Sequence, residues 1–131
     1  MLPQNLLKNA IAANNEFGWK IEHFEQALSV ATSCGLACLG GQFQWRVLSG
    51  ACEAYWLNAD SAERLESESW SQYVVRSNEE VRRNFNLLIS TVDFEQESNR
   101  FELLKSEKQK GTDLNSYLIF VAYFVGEPKN A

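Results

Sequence analysis

Residues 42–57 have the pattern of a β-hairpin, and no other part of the sequence limits the possible folds as strongly. We place Ser49 and Gly50 at the centre of a two-residue turn, because such turns require a positive φ that glycine adopts readily. This register sets Arg46 opposite Glu53 as a cross-strand ion pair. Side chains alternate with a period of two, so one face of the hairpin should be apolar. That face comprises Phe43, Trp45, Val47, Cys52, Ala54 and Trp56. We therefore expect the hairpin to anchor a sheet, without chemistry of its own.

The length and composition predict a single globular domain over residues 1–131. The chain has 131 residues, of which 45% are hydrophobic. A domain of this size buries roughly two-thirds of the surface of its unfolded chain, which is enough for one packed core. Disordered chains have the opposite composition, with low hydrophobicity and high net charge.

The charge balance disfavours nucleic acid as a partner. There are 12 Lys and Arg residues against 17 Asp and Glu residues, a net charge of −5. Nucleic-acid binders carry a basic patch or stripe, whereas the densest basic groups here are interleaved with glutamates. These groups are Arg82, Arg83, Lys105, Lys108 and Lys110. A basic protein is the partner that this charge favours.

The sequence favours the cytoplasm and no association with a membrane. The longest apolar run, residues 117–125, has nine residues, whereas a membrane helix needs about eighteen or more. The first residues lack the basic and apolar regions of a secretory signal peptide. In the cytosol Cys34, Cys38 and Cys52 would stay reduced, and an odd number of cysteines is typical of free thiols.

The first third of the chain has mainly helical periodicity. Apolar residues recur at three- and four-residue spacing from Ile21 to Ala31, and Gly35 fits the left-handed position that closes a helix. A shorter apolar stripe within residues 6–11 predicts another helix. Residues 36–41 are small and glycine-rich, which predicts a tight connector.

The middle of the chain predicts a loop and then a helix. Residues 58–69 are polar and acidic, as expected for a loop. Capping-box patterns begin at Ser69 and at Ser77, and we expect the second to open the helix. Residues 93–107 fit either a helix or a strand, and the alternation within residues 100–106 slightly favours the strand.

Residues 117–125 predict the central strand of the sheet. The segment has β-branched and aromatic residues at both its odd and its even positions, which face opposite sides of a sheet. This pattern is expected for a strand covered on both faces. Together the patterns predict an α+β fold. In this fold, N-terminal helices and a mid-chain helix pack on a small, mostly antiparallel sheet that contains the central hairpin and this C-terminal strand.

No metal, cofactor or catalytic motif is complete in the sequence. A structural zinc site would need His23 together with all three cysteines, and their spacing matches no common zinc module. The Gly40-Gly41 pair has no lysine at the spacing of a phosphate-binding loop. We therefore expect no metal, no cofactor and no enzymatic activity.

The acidic segment after the hairpin is the best candidate for a binding surface. Tyrosine and tryptophan are typical anchors of protein interfaces, and charges of one sign steer a partner of the opposite sign. We expect Tyr55 and Leu57 to be exposed there, whereas Trp56 belongs to the apolar face of the hairpin. The predicted partner-binding residues are Tyr55, Leu57, Asp60, Glu63, Glu66, Glu68 and Trp70.

The tryptophan-containing stretch GGQFQWRVLSGACEAYWLNADS, followed by ESWSQYVVRS, resembles immunity proteins of bacterial polymorphic-toxin and contact-dependent growth-inhibition systems. Proteins of these families are small, cytosolic and frequently acidic, and each binds and blocks a toxin domain. The resemblance implies a non-enzymatic inhibitor of a cognate basic toxin, of the nuclease type. In that role the carboxylates of the acidic segment would replace substrate phosphates in the cationic cleft of the toxin.

Two functions of other classes remain as alternatives. One is a small-molecule-binding regulatory domain that holds a ligand between the sheet and the helices with a tryptophan. The candidates for that contact are Trp19, Trp45 and Trp70. The other is a cysteine-dependent enzyme in which Cys34 or Cys38 acts with His23. That chemistry requires hydrogen-bond distance and a lowered thiol pKa.

Overall fold

The computed structural model describes residues 2–129 and consists of one antiparallel sheet with helices on one face. The helices are α1 Gln4–Leu7, α2 Ile21–Ser33, α3 Trp70–Thr91, α4 Phe94–Ser98 and α5 Glu102–Gln109. The strands are β1 Ile11–Ala13, β2 Glu16–Lys20, β3 Ala37–Val47, β4 Gly50–Asp60 and β5 Leu118–Val125. A short 3-10 helix, Leu114–Tyr117, leads into β5. The predicted α+β fold is confirmed.

Strand β5 lies in the middle of the sheet, whose order is β1-β2-β5-β3-β4. Consecutive residues of β5 that point to opposite faces are buried: Leu118, Ile119, Phe120, Val121 and Ala122. The prediction of a C-terminal central strand is therefore confirmed, whereas the predicted coverage on both faces is wrong for Tyr123, which is 42% exposed. Strands β1 and β4 form the two edges.

The β3–β4 hairpin forms, but its turn lies one residue earlier than predicted. Val47 pairs with Gly50, so residues 48–49 occupy the turn. Each cross-strand partner consequently differs by two positions from the prediction, and Trp45 faces Cys52. A one-residue slip would exchange the two faces, whereas a two-residue change preserves them. The apolar face is therefore the predicted one in the part of the hairpin next to the turn.

Aromatic rings fill the core between the helices and the sheet. The ring centroid of Phe120 is 4.7 Å from that of Phe24 and 5.0 Å from those of Phe43 and Phe85. All four side chains are buried. Burying such a side chain stabilises a fold by about 1.5–3 kcal/mol. The cluster therefore ties the two long helices to β3 and β5.

The ends of the two long helices follow from local sequence. Gly35 closes α2 in the left-handed conformation, with φ of 72°. Ser69 begins α3 in a capping box, in which its hydroxyl accepts from the Gln72 N–H and the Gln72 side chain accepts from the Ser69 N–H. Ser77 lies inside α3, so the prediction that it opens the helix is wrong. Every helix within residues 2–129 is too short or too polar to cross a membrane.

Three segments differ from the sequence-based expectation because tertiary pairing or capping decides their structure. Residues 11–20 contain strands β1 and β2 rather than helix, with Asn14 in the connecting turn at φ of 57°. Residues 37–41 of the predicted connector begin β3 and pair with β5 on one side. Residues 93–107 hold α4 and α5 rather than the favoured strand, and the Asp93 side chain caps α4.

Candidate functional site

A bulge in β4 displays two aromatic side chains at the edge of the sheet. The pairing of β4 with β3 passes over residues 55–57. Tyr55 is 65% exposed and Trp56 is 40% exposed, whereas Leu57 is only 5% exposed. The predictions that Leu57 is exposed and that Trp56 belongs to the buried face are wrong, because the bulge breaks the alternation of side chains.

The two exposed rings of the bulge differ in how firmly they are held. The Trp56 ring stacks on Phe101 with a centroid distance of 5.7 Å, and the Arg100 guanidinium lies over it at 5.6 Å. Tyr55 meets the Trp56 ring edge-on, with a centroid distance of 5.6 Å. Trp56 is therefore braced by the segment that precedes α5, and Tyr55 is the more available ring.

The bulge also limits how a partner can use this edge. An edge strand presents unpaired backbone N–H and C=O groups to which another strand can add, and a bulge interrupts such a row. Strand β4 is an edge strand with its bulge near the middle. A partner that bound this edge would therefore contact side chains rather than add a strand.

A groove beside Tyr55 opens on the open face of the sheet, which is the face away from the helices. We name it the tyrosine groove, and its volume is about 340 Å³. It is lined by Leu39, Gln42, Tyr55, Asn58, Asp60, Tyr123 and the backbone of Gly40 and Gly41. A Cβ atom at Gly40 would clash with Oδ1 of Asp60. The Asp60 carboxylate therefore rests directly against the glycine backbone, and a side chain at position 40 would fill this space.

Polar side chains form a network across the open face. Arg46 Nε donates to Gln44 Oε1 at 3.0 Å, and Gln44 Nε2 donates to Glu53 Oε1 at 3.3 Å. The ion pair of Arg46 is with Glu16 on β2, at 3.4 Å, so the predicted pair with Glu53 is wrong. Tyr123 Oη donates to Glu16 Oε2 at 2.5 Å. This hydrogen bond and partial burial raise the pKa of Tyr123 to about 12, so its hydroxyl stays protonated at neutral pH.

The acidic loop, residues 61–69, is fastened to α3 by Arg76. The guanidinium binds both carboxylate oxygens of Glu68, with Nε–Oε2 at 2.5 Å and Nη2–Oε1 at 2.7 Å, and its Nη1 lies 3.0 Å from Oε1 of Glu80. The Leu65 N–H also donates to Glu68. The hydrogen bonds from Arg76 and then from Leu65 lower the pKa of Glu68 from 4.5 to about 2. The charge of Glu68 is thus used to hold the loop.

The other predicted residues of this region lie in two different environments. Glu63 and Glu66 are exposed on the acidic loop. Trp70 is partly buried at the start of α3, where its Nε1 donates to the Gly35 carbonyl at 2.8 Å and Arg64 lies over its ring at 5.3 Å. Trp70 therefore contributes mainly to joining α2 and α3.

The structure brings only some of the predicted residues together. Tyr55 and Asp60 line the same groove. Tyr123 also lines it and was missed, because it lies in the run assigned to a strand covered on both faces. The available signal was the alternation of β5, which sets Tyr123 opposite to Phe120 and Phe124.

The cysteines and the histidine do not form a catalytic arrangement. His23 lies in the first turn of α2 and Cys34 caps its other end, so a rise of 1.5 Å per residue separates them by about 16 Å. Cys38 and Cys52 are buried, and burial raises the pKa of Cys38 to about 12, which opposes formation of a thiolate. No group of three His, Cys, Asp or Glu side chains within residues 2–129 is placed to hold a metal ion.

Core contacts surround two of the tryptophans that the sequence suggested for a small-molecule site. Trp19 and Trp45 are buried. The Trp19 ring meets Phe124 edge-on at 5.5 Å, and the Trp45 ring meets Phe101 at 6.0 Å. A ligand bound between the sheet and the helices would have to displace these rings.

No protein-family model, curated protein or solved structure matches the chain. The geometry of the bulge, the tyrosine groove and the acidic loop is therefore the basis on which a function can be assigned.

Proposed function

We propose that this chain is a non-enzymatic, cytoplasmic inhibitor that binds a basic protein, in the manner of an immunity protein that neutralises a cognate toxin. The observation that carries the proposal is the exposed Tyr55 ring on the edge strand, next to the carboxylate of Asp60 in the tyrosine groove. Exposed aromatic rings beside charges of one sign are typical of protein-binding surfaces.

The acidic loop, which follows Asp60 directly in the chain, adds carboxylates whose positions are constrained. Glu63 and Glu66 are exposed, and the loop that carries them is held by Arg76 through Glu68 and Glu80. A loop that is already ordered loses less conformational entropy when it binds. In this proposal Glu63 and Glu66 face the cationic cleft of the toxin, whereas Glu68 keeps the loop in position.

The charge of the chain supports a basic partner with an active site that binds phosphates, such as a nuclease. The net charge is −5. Carboxylates that occupy the place of substrate phosphates neutralise the cleft of the toxin and exclude its substrate. Attraction between opposite charges also accelerates association, and this acceleration decreases as salt increases.

The experiment that tests the proposal is co-expression of the chain with any toxin-like reading frame immediately upstream of its gene. We expect a one-to-one complex that abolishes the toxicity of the partner. Tyr55→Ala should weaken the complex by at least about tenfold, because truncating an aromatic anchor commonly costs more than 1 kcal/mol. Isothermal titration calorimetry on the purified proteins gives the affinity.

Leu87→Ala is the matched control, since Leu87 is an equally exposed apolar residue on α3. It should leave the affinity unchanged. Equal affinities of Tyr55→Ala and wild type would remove Tyr55 from the site. A toxin that stays active in the presence of the chain would contradict the proposed function. Release of a small molecule from the denatured, purified chain would instead favour the small-molecule-binding alternative.

A further inference from the structure

We propose that the tyrosine groove is a receptor for one arginine side chain of the basic partner, held between the rings of Tyr55 and Tyr123 with its guanidinium on the Asp60 carboxylate. This inference rests on the proposed function, because it names the side chain by which a basic protein is recognised.

The shape of the groove suits a flat, cationic group. Tyr55 and Tyr123 are both exposed, and both line the groove. Gly40 and Gly41 contribute backbone alone to the groove, and the remaining lining residues are Leu39, Gln42 and Asn58. A guanidinium is planar, and it stacks on aromatic faces more often than an ammonium does.

The charge of the groove also selects a cation. The Asp60 carboxylate rests against Gly40, and no salt bridge within residues 2–129 includes it. The arginine on the open face, Arg46, is engaged by Glu16 and Gln44. An incoming anion would therefore meet an unneutralised carboxylate, whereas an incoming guanidinium gains a charge-assisted hydrogen bond.

Three arginine side chains within the described residues already lie over an aromatic ring of the same chain. The guanidinium carbon lies 5.3 Å from the ring centroid in the pairs Arg64–Trp70 and Arg76–Tyr73, and 5.6 Å in the pair Arg100–Trp56. In the pair Arg76–Tyr73 the same guanidinium also binds a carboxylate, that of Glu68. The proposed contact repeats this combination between two chains.

The test uses N-acetyl-arginine-N-methylamide as the probe and two-dimensional ¹H–¹⁵N NMR of the full chain as the readout. We expect saturable shifts of the amide signals of Gly40, Gly41 and Tyr123. The citrulline analogue has the same shape without the charge and should produce none. Asp60→Asn should weaken binding of the arginine probe by about fivefold, the upper range for an exposed ion pair.

Glu22→Gln is the matched control, because it removes the same charge from an exposed carboxylate outside the groove. It should leave binding of the probe unchanged. Tyr55→Leu should also weaken binding of the arginine probe, because it removes the aromatic ring. The position is exposed, so this variant should fold like the wild type. Equal shifts with the citrulline analogue, or equal binding by the Asp60→Asn and Glu22→Gln variants, would overturn the inference.

The same pair of variants separates this inference from the proposed function. A toxin complex that Asp60→Asn weakens no more than Glu22→Gln would overturn the arginine receptor and leave the inhibitor intact. Specific binding of the arginine probe by a chain that neutralises no toxin would overturn the inhibitor and support the groove as a site for arginine.

Discussion

The two faces of the sheet are built from different chemistry, and the difference is visible on β5 alone. Phe120 points towards the helices and contacts three other aromatic rings. Tyr123 points to the open face, where its hydroxyl donates to Glu16. Apolar packing supplies most of the stability on the helix-covered face. On the open face hydrogen bonds between long polar side chains order the surface, and the Tyr55 ring is exposed at the edge of the sheet.

The largest effect is expected on the helix-covered face. Phe120→Ala should lower the free energy of unfolding by about 3–5 kcal/mol, because it removes a ring from a packed cluster and leaves a cavity. Urea denaturation followed by tryptophan fluorescence measures the change. Leu87→Ala, at an exposed position, should cost about 0.5 kcal/mol or less. Similar losses for the two variants would contradict the assignment of stability to this face.

A smaller effect is expected on the open face. Tyr123→Phe removes the hydroxyl that binds Glu16 and keeps the ring, so it should cost about 1 kcal/mol. Tyr55→Phe, which alters an exposed hydroxyl on the bulge, should leave the unfolding free energy unchanged in the same urea assay. A loss in Tyr123→Phe as large as that in Phe120→Ala would show that the two faces contribute equally.

The smallest effect is expected in the acidic loop and is seen as a dependence on pH. The pKa of Glu68 is about 2 in the folded chain, whereas its ordinary value is 4.5. The ionised carboxylate therefore stabilises the fold fully when the pH is above 4.5. That contribution decreases as pH falls from about 5 towards 2. The urea midpoint of wild type should therefore fall more steeply over this range than that of Glu68→Gln. Glu66→Gln should keep the wild-type slope, and parallel slopes for wild type and Glu68→Gln would exclude the role of Arg76 in holding the loop.

The parts of the fold that were predicted correctly are those in which local pattern and tertiary contacts agree. The helix that ends at Gly35 and the strand over residues 118–125 are examples. The first third of the chain was predicted to be mainly helical, but its residues 16–20 form strand β2, because pairing with β5 outweighs the local preference. Most of the strand favoured within residues 100–106 belongs to α5, since Phe101 and Leu104 are three residues apart and also fit one face of a helix.

The candidate site was less predictable than the fold, because it depends on a bulge. Alternation along the hairpin is a strong signal, but nothing local indicates that pairing is interrupted at residues 55–57. The interruption exchanged the expected exposures of Trp56 and Leu57. Glu68 appeared equivalent to Glu63 and Glu66 in the sequence, and only the position of Arg76 on the facing helix distinguishes it.

The central claim is that exposed carboxylates of the acidic loop steer a basic partner to this edge of the molecule. The most direct test is the association rate constant of the purified chain and its toxin, measured by stopped-flow fluorescence as a function of salt. Glu63→Gln combined with Glu66→Gln should slow association by about tenfold at low salt. At high salt the rate constants of this variant and of wild type should converge. The control, Glu22→Gln combined with Glu102→Gln, makes the same change in net charge at exposed positions on α2 and α5 and should have a smaller effect. Equal rates for wild type and the loop variant at low salt would contradict the claim.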